Sequence, residues 1–289
     1  MITANQHFRD AFGHKMYKAS ISLNVTCPNR DGSKGTGGCI FCSEGGSGEF
    51  SVCPGDIAEQ IRSAIARVSE KAGKDAGYIA YFQSFTSTYC DASYLEKTLA
   101  EASSCDGIEA VSIATRPDCL GPEIMKVLSK QADVMPLYVE LGLQTASDET
   151  AELINRCYKT AEYVETVKKL KSIGANVITH IIFGLPGENK DMMMDTVRLA
   201  AGSGSDGYKF TCLYVLSNTY LEKLWRENKV EMLDMKEYFD IVEEAIKLLP
   251  CDAVVHRFTG DGPKKILLAP EWTKNKRQVV NYINRRFGL

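Results

Sequence analysis

Short runs of β-branched and other apolar residues recur along the chain about every 30 residues, separated by stretches whose apolar positions repeat at helical spacing. The runs predict strands over 19–26, 78–85, 110–115, 136–143, 176–183, 208–215 and 253–258. Between them, helices are expected over 55–69, 92–103, 122–132, 148–155, 160–173, 190–203 and 236–249, several opening on an Asp, Ser or Thr cap. Strand–helix alternation of this kind reads as consecutive βαβ units on one parallel sheet, an α/β fold. Six or seven such units close, fully or in part, into a barrel whose chemistry sits at the C-terminal ends of the strands. The unusual polar residues fall there: Cys27 after the first run, 83–86 after the second, 115–118 after the third, 140–145 after the fourth and 180–188 after the fifth.

Composition changes this picture little. Apolar residues make up 44% and charged residues 25%, an ordinary globular mixture. We expect one main domain over 19–250, with an N-terminal extension (1–18) and a basic C-terminal extension (251–289). The net charge of −3 excludes a polycation, so any nucleic-acid surface must be local. The candidate is 264–289, where Lys264, Lys265, Lys274, Lys276, Arg277, Arg285 and Arg286 face the single acid Glu271. A solvated final helix is the other reading of the same residues. No secretory signal opens the chain and no run of eighteen apolar residues occurs, so a cytoplasmic protein with no membrane span is expected. Ten cysteines in that compartment point to metal ligation or reactivity rather than to disulfides.

Three of those cysteines, Cys27, Cys39 and Cys42, lie within sixteen residues, the last two as C-x2-C, in a loop carrying Gly35, Gly37, Gly38, Gly45, Gly46 and Gly48. Three thiolates on a four-iron cluster leave one iron open to a substrate or cofactor. Spacing alone does not separate such a cluster from zinc, which would need a fourth ligand; Cys53 is the nearest spare thiol. The glycines permit backbone N–H groups to approach an anionic centre, or merely mark a surface loop. Cys53, Cys105, Cys119, Cys157, Cys212 and Cys251 have no ligand spacing and read as small buried residues. Tyr78, Tyr81 and Phe82 read as core rather than as a base-stacking platform.

These residues carry a resemblance. The strings at 27–32 (CPNRDG), 37–42 (GGCIFC), 115–118 (TRPD), 140–145 (ELGLQT), 180–188 (HIIFGLPGE) and 256–263 (HRFTGDGP) resemble the radical S-adenosylmethionine superfamily. More narrowly, they resemble its bacterial family close to the catalytic subunit of Elongator. The likeness runs from about residue 7 to 275. It implies a radical SAM partial (β/α)6 TIM-like barrel with short terminal extensions, a [4Fe-4S] cluster on Cys27, Cys39 and Cys42, and S-adenosylmethionine chelating the open iron. An electron passed into the sulfonium then yields a 5′-deoxyadenosyl radical. Eleven residues separate Cys27 from Cys39 where most of the superfamily has three, an insertion this family shares. Where relatives read Asn-Thr-Tyr the chain has Ser87-Thr88-Tyr89, followed by Cys90, either a mouth residue or an inert one.

By the same resemblance, Ser84 and Thr86 contact the cofactor's amino group, and Glu140 and Gln144 reach its amine or ribose. Arg116 pairs with a carboxylate or phosphate, or else with Asp118. Ile181, Gly184 and Glu188 belong to the segment that holds adenine, with Leu213 and Val215 the opposite wall; His180 is part of that segment or a core histidine. His256, Arg257 and Asp261 face the substrate. Kinship with Elongator points to transfer RNA as partner, and to remodelling of 5-carboxymethylaminomethyl wobble uridine toward 5-aminomethyluridine, with Lys274, Lys276 and Arg277 as RNA contacts. A reductant such as flavodoxin or ferredoxin is implied. A radical enzyme acting on a small molecule or protein, and a non-catalytic zinc module, are the alternatives.

Overall fold

The structure, a computed structural model, describes every residue except Ser47, Glu49 and Lys74, and the backbone alone of Lys71. The chain opens with β1 (Ile2–Thr3), α1 (Ala4–Phe12) and β2 (Met16–Ile21). There follow α2 (Ile57–Ala72), β3 (Gly77–Phe82), α3 (Ala92–Ser103), β4 (Ile108–Thr115), α4 (Pro122–Val134), β5 (Leu137–Gln144), α5 (Asp148–Leu153) and α6 (Thr160–Ser172). Then come β6 (Asn176–Phe183), α7 (Lys190–Gly202), β7 (Gly207–Cys212), β8 (Val215–Leu216), α8 (Tyr220–Arg226) and α9 (Met235–Lys247). The chain ends with β9 (Val254–Arg257), β10 (Leu267–Ala269) and α10 (Lys276–Phe287). The main sheet is parallel throughout, in the order β1-β9-β7-β6-β5-β4-β3-β2; β8 and β10 form a separate antiparallel pair.

The six strands β2–β7 with their helices are the expected partial (β/α)6 barrel, and its curl follows from side-chain reach. Neighbouring strands lie about 4.8 Å apart, so on a flat sheet β2 and β5 would be separated by roughly 14 Å. Instead Lys18 on β2 and Lys209 on β7 both touch the Glu140 carboxylate on β5. Only a sheet rolled into a half-barrel brings them together.

Alternation sorts the strand residues into two faces. Ala19, Phe82, Val111, Ile113, Val139, Leu141, Val177, Phe183 and Phe210 point outward and pack under the helices as the main core. The inner face is layered. Its lowest tier, Met16, Ile79, Ala110, Tyr138 and Ile178, is apolar and is closed by Phe8 of α1, with Phe12 beside it. Residues 1–18, expected as an extension, thus supply the edge strand β1, the helix that seals the barrel floor and the start of β2. Thr3 caps α1 and Gly13, at φ 80°, ends it. Phe8→Ala should open a cavity under the sheet and cost about 3–5 kcal/mol in urea unfolding; a loss below about 1 kcal/mol would mean that α1 merely lies on the surface.

Strand bounds differ from expectation at several places: β2 and β4 begin earlier, and β3 stops at Phe82 rather than at 85. The first strand stops at Ile21, because the backbone beyond turns into the cysteine loop, where Val52 N bonds Ser20 O and Gln83 N bonds Ile21 O. The run 208–215 is two strands, since Leu213 N bonds back to Phe183 O and Val215 pairs with β10. Among the described residues no helix is long and apolar enough to cross a membrane.

Candidate active site

Above the apolar floor, the inner face turns polar and all six strands meet at one carboxylate. Glu140 on β5 is fully buried. Its Oε1 accepts from Lys18 and from Ser112 Oγ (3.1 Å), and its Oε2 from Tyr81 Oη (2.7 Å), Lys209 and His180 Nε2 (2.9 Å). Burial alone would keep this carboxyl protonated, but the Lys18 and Lys209 charges and the His180 bond outweigh it and hold it well below the ordinary carboxylate range. The same burial pushes the Tyr81 phenol well up and the His180 imidazole down to about 4. His7 and His256 are lowered as well, chiefly by burial.

A histidine held neutral in the fold stabilises it fully above its unfolded value of about 6.5, and the contribution is lost as pH falls toward the folded value. Unfolding free energy should therefore drop between pH 6.5 and about 4, by up to roughly 1.4 kcal/mol per pH unit for each histidine. Urea midpoints that stay flat from pH 8 to 5 would refute this.

Over the Glu140 tier opens a cavity of about 290 Å³ at the C-terminal ends of the strands. Cys27, Cys39 and Cys42 line it, and among the described residues no fourth cysteine does. The loop bearing them is held by side chains: Asn155 Nδ2 donates to the Gly38 carbonyl (2.8 Å), and Asn29 Nδ2 to the Asn155 carbonyl. Two sulfurs have their own donors, Cys27 Sγ from Arg116 Nη1 (3.8 Å) and Cys39 Sγ from Asn29 Nδ2 (3.6 Å). Contact with Cys42, and then burial, push the Cys39 thiol well up while it carries its proton; iron would remove that proton. Three thiols on one cavity wall, donors aimed at two of the sulfurs and, among the described residues, no fourth cysteine there suit a four-iron cluster with one open corner, although as placed the three are not gathered into a metal-holding group.

Two non-glycine residues on the cavity wall, Phe85 (φ 53°) and Gln144 (φ 61°), occupy the left-handed region, as do Asn155 and Cys157 beside the cysteine loop. Each such residue costs of order 1–3 kcal/mol, and strain of this kind gathers where function fixes the backbone. The loop glycines serve packing as much as access. A Cβ on Gly46 (φ 55°) would overlap the Phe85 ring, and one on Gly38 (φ 81°) would press on the Arg30 guanidinium.

The other sequence-singled residues divide by place. Thr86, Arg116, Glu140 and Gln144 line the cavity. Arg116 is bidentate on Asp118 (2.9 and 2.8 Å), which also binds Lys34 (2.9 Å), so the ion-pair reading holds while Nη1 stays directed at Cys27. Burial opposes the Asp118 charge, but Arg116 and Lys34 keep that carboxyl below its usual value. Glu140 has all its near contacts inside the protein. Gln144 accepts from Tyr158 Oη (2.9 Å). Ser84 lies behind the wall, its hydroxyl bonded to Ser22 and Ser51 (2.9 Å).

Ile181 points to the helices, and its neighbours His180 and Ile182 face inward; Ile182 and Leu213 line a side cavity of about 130 Å³ that shares Cys42, Gln144, His180 and Arg257 with the main one. Gly184 (φ 85°) turns the chain beneath Leu233, and Val215 is buried in the pair with β10. Glu188 accepts from Thr145 outside the cavity, and among the described residues its buried Oε2 has no hydrogen-bond partner within the ordinary distance. Arg257 and Asp261 line the cavity, whereas His256 packs on Phe8 and His7 in the floor tier; a register shift between β7 and β9 sets Arg257 opposite Lys209, so both neighbours face inward at different heights.

Cys90 sits half-buried in a separate groove with Tyr89 and Cys119, its thiol pushed up to about 11 chiefly by burial. Cys119 and Cys212 are buried as expected, whereas Cys53 and Cys251 are exposed, a correction that follows from their places in loops. Lys274, Lys276 and Arg277 edge an open groove of about 870 Å³ with Trp272, whose lining includes none of the cysteines but which is tied to the cavity through Lys276–Asp261 (2.7 Å). Sequence reasoning missed Lys18, Lys209, Asn29 and Tyr158, and took Tyr81 as core only. A lone lysine in the middle of each of two apolar strands was the available signal.

The sequence profile of the Radical SAM superfamily matches residues 25–200, and that of the Radical_SAM C-terminal domain residues 205–288. The chain belongs to the radical SAM superfamily. Its cofactors are accordingly a [4Fe-4S] cluster and S-adenosylmethionine, and the zinc-module reading is set aside. YtqA of Bacillus subtilis (strain 168) is 40% identical over 284 residues, covering 98% of this chain and 88% of that protein. The tRNA uridine(34) acetyltransferase of Methanocaldococcus jannaschii is 25% identical over 186 residues, 62% of this chain and 33% of that one. Among solved structures, the archaeal Methanocaldococcus infernus Elp3 with an N-terminal deletion matches with a TM-score of 0.69 at 16% identity over 94% of this chain. The chain spans 63% of that Elp3 chain, and at this identity the likeness is one of fold. When bound, the cluster would supply the electron that cleaves S-adenosylmethionine, the chemistry of this superfamily. The protein's own residues hold the thiol loop rigid, direct Arg116 and Asn29 at the sulfurs, and line a cavity whose floor is sealed from water.

Proposed function

We propose that the enzyme acts on transfer RNA, converting 5-carboxymethylaminomethyl wobble uridine to 5-aminomethyluridine with S-adenosylmethionine as the two-electron oxidant: a 5′-deoxyadenosyl radical would take a hydrogen from the carboxymethyl carbon, a second electron would pass to the cluster, and water would cleave the resulting imine to the free amine and glyoxylate. Cys27, Cys39 and Cys42 hold the cluster in this reading, and Thr86, Gln144 and the inner face of Leu213 bound the S-adenosylmethionine site. The observation that carries it is the link between the basic groove and the cavity. Lys276 in the groove is bonded to Asp261 on the cavity wall, so an RNA lying along α10 would present a nucleotide to the cavity mouth. Likeness to a transfer RNA uridine(34) enzyme supports the choice of nucleotide.

A flavodoxin or ferredoxin is the proposed electron donor. Nucleoside mass spectrometry of transfer RNA from a strain lacking the gene tests the substrate: 5-carboxymethylaminomethyluridine should accumulate at the expense of 5-aminomethyl derivatives, and an unchanged wobble profile removes the proposal. The logarithm of RNA affinity should fall linearly with log salt, and neutralising Lys274, Lys276 and Arg277 together should reduce that slope by about 2–3.

A further inference from the structure

Among the described residues, the cations around the cavity are committed to protein partners, with one exception. Lys18 and Lys209 hold Glu140, and Arg116 holds Asp118. Arg156 donates to the Leu143, Thr145 and Tyr158 carbonyls and to Asp148, and Arg30 to the Cys42 and Ser43 carbonyls. Arg257 makes a single side-chain bond, from Nη2 to Thr211 Oγ1 (2.8 Å). Its Nε–H is buried with no acceptor, and among the described residues no carboxylate lies within ion-pair reach of it.

A guanidinium carries five N–H donors, and leaving a buried one unpaired costs about 1–3 kcal/mol. That cost is offset when a ligand supplies the acceptor. Place points the same way. Arg257 stands on β9, outside the six barrel strands and near the open edge of the sheet, and it lines both the main and the side cavity. The planar fork matches a carboxylate with two parallel hydrogen bonds.

We propose that Arg257 is the carboxylate anchor of the cavity, taking the acid group of the substrate. The inference rests on the proposed reading and sharpens it: the 5-carboxymethylaminomethyl group ends in a carboxylate, its 5-aminomethyl product does not, and an anchor of this kind would hold the former and release the latter.

The test uses cluster-reconstituted protein and equilibrium dialysis with two probes, the nucleoside 5-carboxymethylaminomethyluridine and its neutral carboxamide. Wild type should bind the acid at least tenfold more tightly than the amide, R257Q should bind both within twofold of each other, and R257K should keep part of the preference, with thermal unfolding alike in all three. Equal binding of acid and amide by wild type overturns the anchor. S-adenosylmethionine also carries a carboxylate, so its binding is measured in parallel. If R257Q weakens S-adenosylmethionine tenfold while the acid–amide preference survives, the residue serves the cofactor and the substrate assignment is overturned.

Should neither nucleoside bind, the uridine reading fails by itself, and Arg257 is judged by its rate of modification with phenylglyoxal, followed by peptide mass spectrometry. Protection by acetate but not by acetamide keeps the anchor for another acid; no protection by acetate ends it.

Discussion

Replacing Cys42 by alanine is expected to leave a folded protein that cannot be loaded. Anaerobic reconstitution of wild type should give about four irons per chain with a broad visible absorption, and the variant should retain background iron and form no 5′-deoxyadenosine. The reason lies in the count of ligands. In the proposed ligand set Cys27, Cys39 and Cys42, which line the cavity, would leave one corner of a four-iron cluster open, and a second vacancy would remove the grip. The fold survives because Cys42 sits in a loop anchored by its neighbours: Ile40 is buried with Ile154 and Leu221, and Phe41 packs beside them. Asn29→Ala, which removes the donor 3.6 Å from Cys39, should cost less, within the roughly 10–100-fold that loss of an outer-shell partner costs a metal site. Iron analysis and thermal unfolding on the same samples check both. A Cys42→Ala protein with a full complement of iron would show that the ligand set is wrong.

The second large effect should come from Glu140, although it is far from any thiol in sequence. Glu140→Gln removes the counter-charge of Lys18 and Lys209 in a dry tier of the barrel. Breaking a buried ion pair from one side typically costs about 3–5 kcal/mol, because the remaining charge is left without compensation. Burial already lowers Lys209 from the ordinary lysine value in spite of Glu140, so with the carboxylate gone the ammonium should shed its proton and recover part of the loss. Accordingly Glu140→Gln with Lys209→Met should be more stable than the single variant. A double-mutant cycle in urea measures this. If the two changes add without coupling, the tier is not held by charge.

Much of the barrel was readable in advance, because strands covered on both faces write their apolar runs into the chain at βαβ spacing. That three thiols share the cavity wall was readable for a similar reason, since these cysteines lie on one short loop. The Glu140 tier was not. Lys18 and Glu140 are 122 residues apart, and Lys209 and Glu140 are 69 apart, so nothing local announces the meeting. The resemblance gave Glu140 to the cofactor, whereas its carboxylate faces five protein donors. His256 and Arg257 are adjacent, yet one belongs to the floor and the other to the cavity; the height of each depends on the register of β9 against β7. Helix α1 escaped because nine residues with two phenylalanines read as a tail until the barrel offers them a floor to fill.

Ile2 and Thr3 pair with Val254 and Val255. β1 must therefore wait for β9, which is translated after every strand of the barrel. While the intervening chain is being synthesised, the nascent barrel has an unplaced leading edge, and its completion is timed by the arrival of the carboxyl-terminal segment rather than by the order of translation.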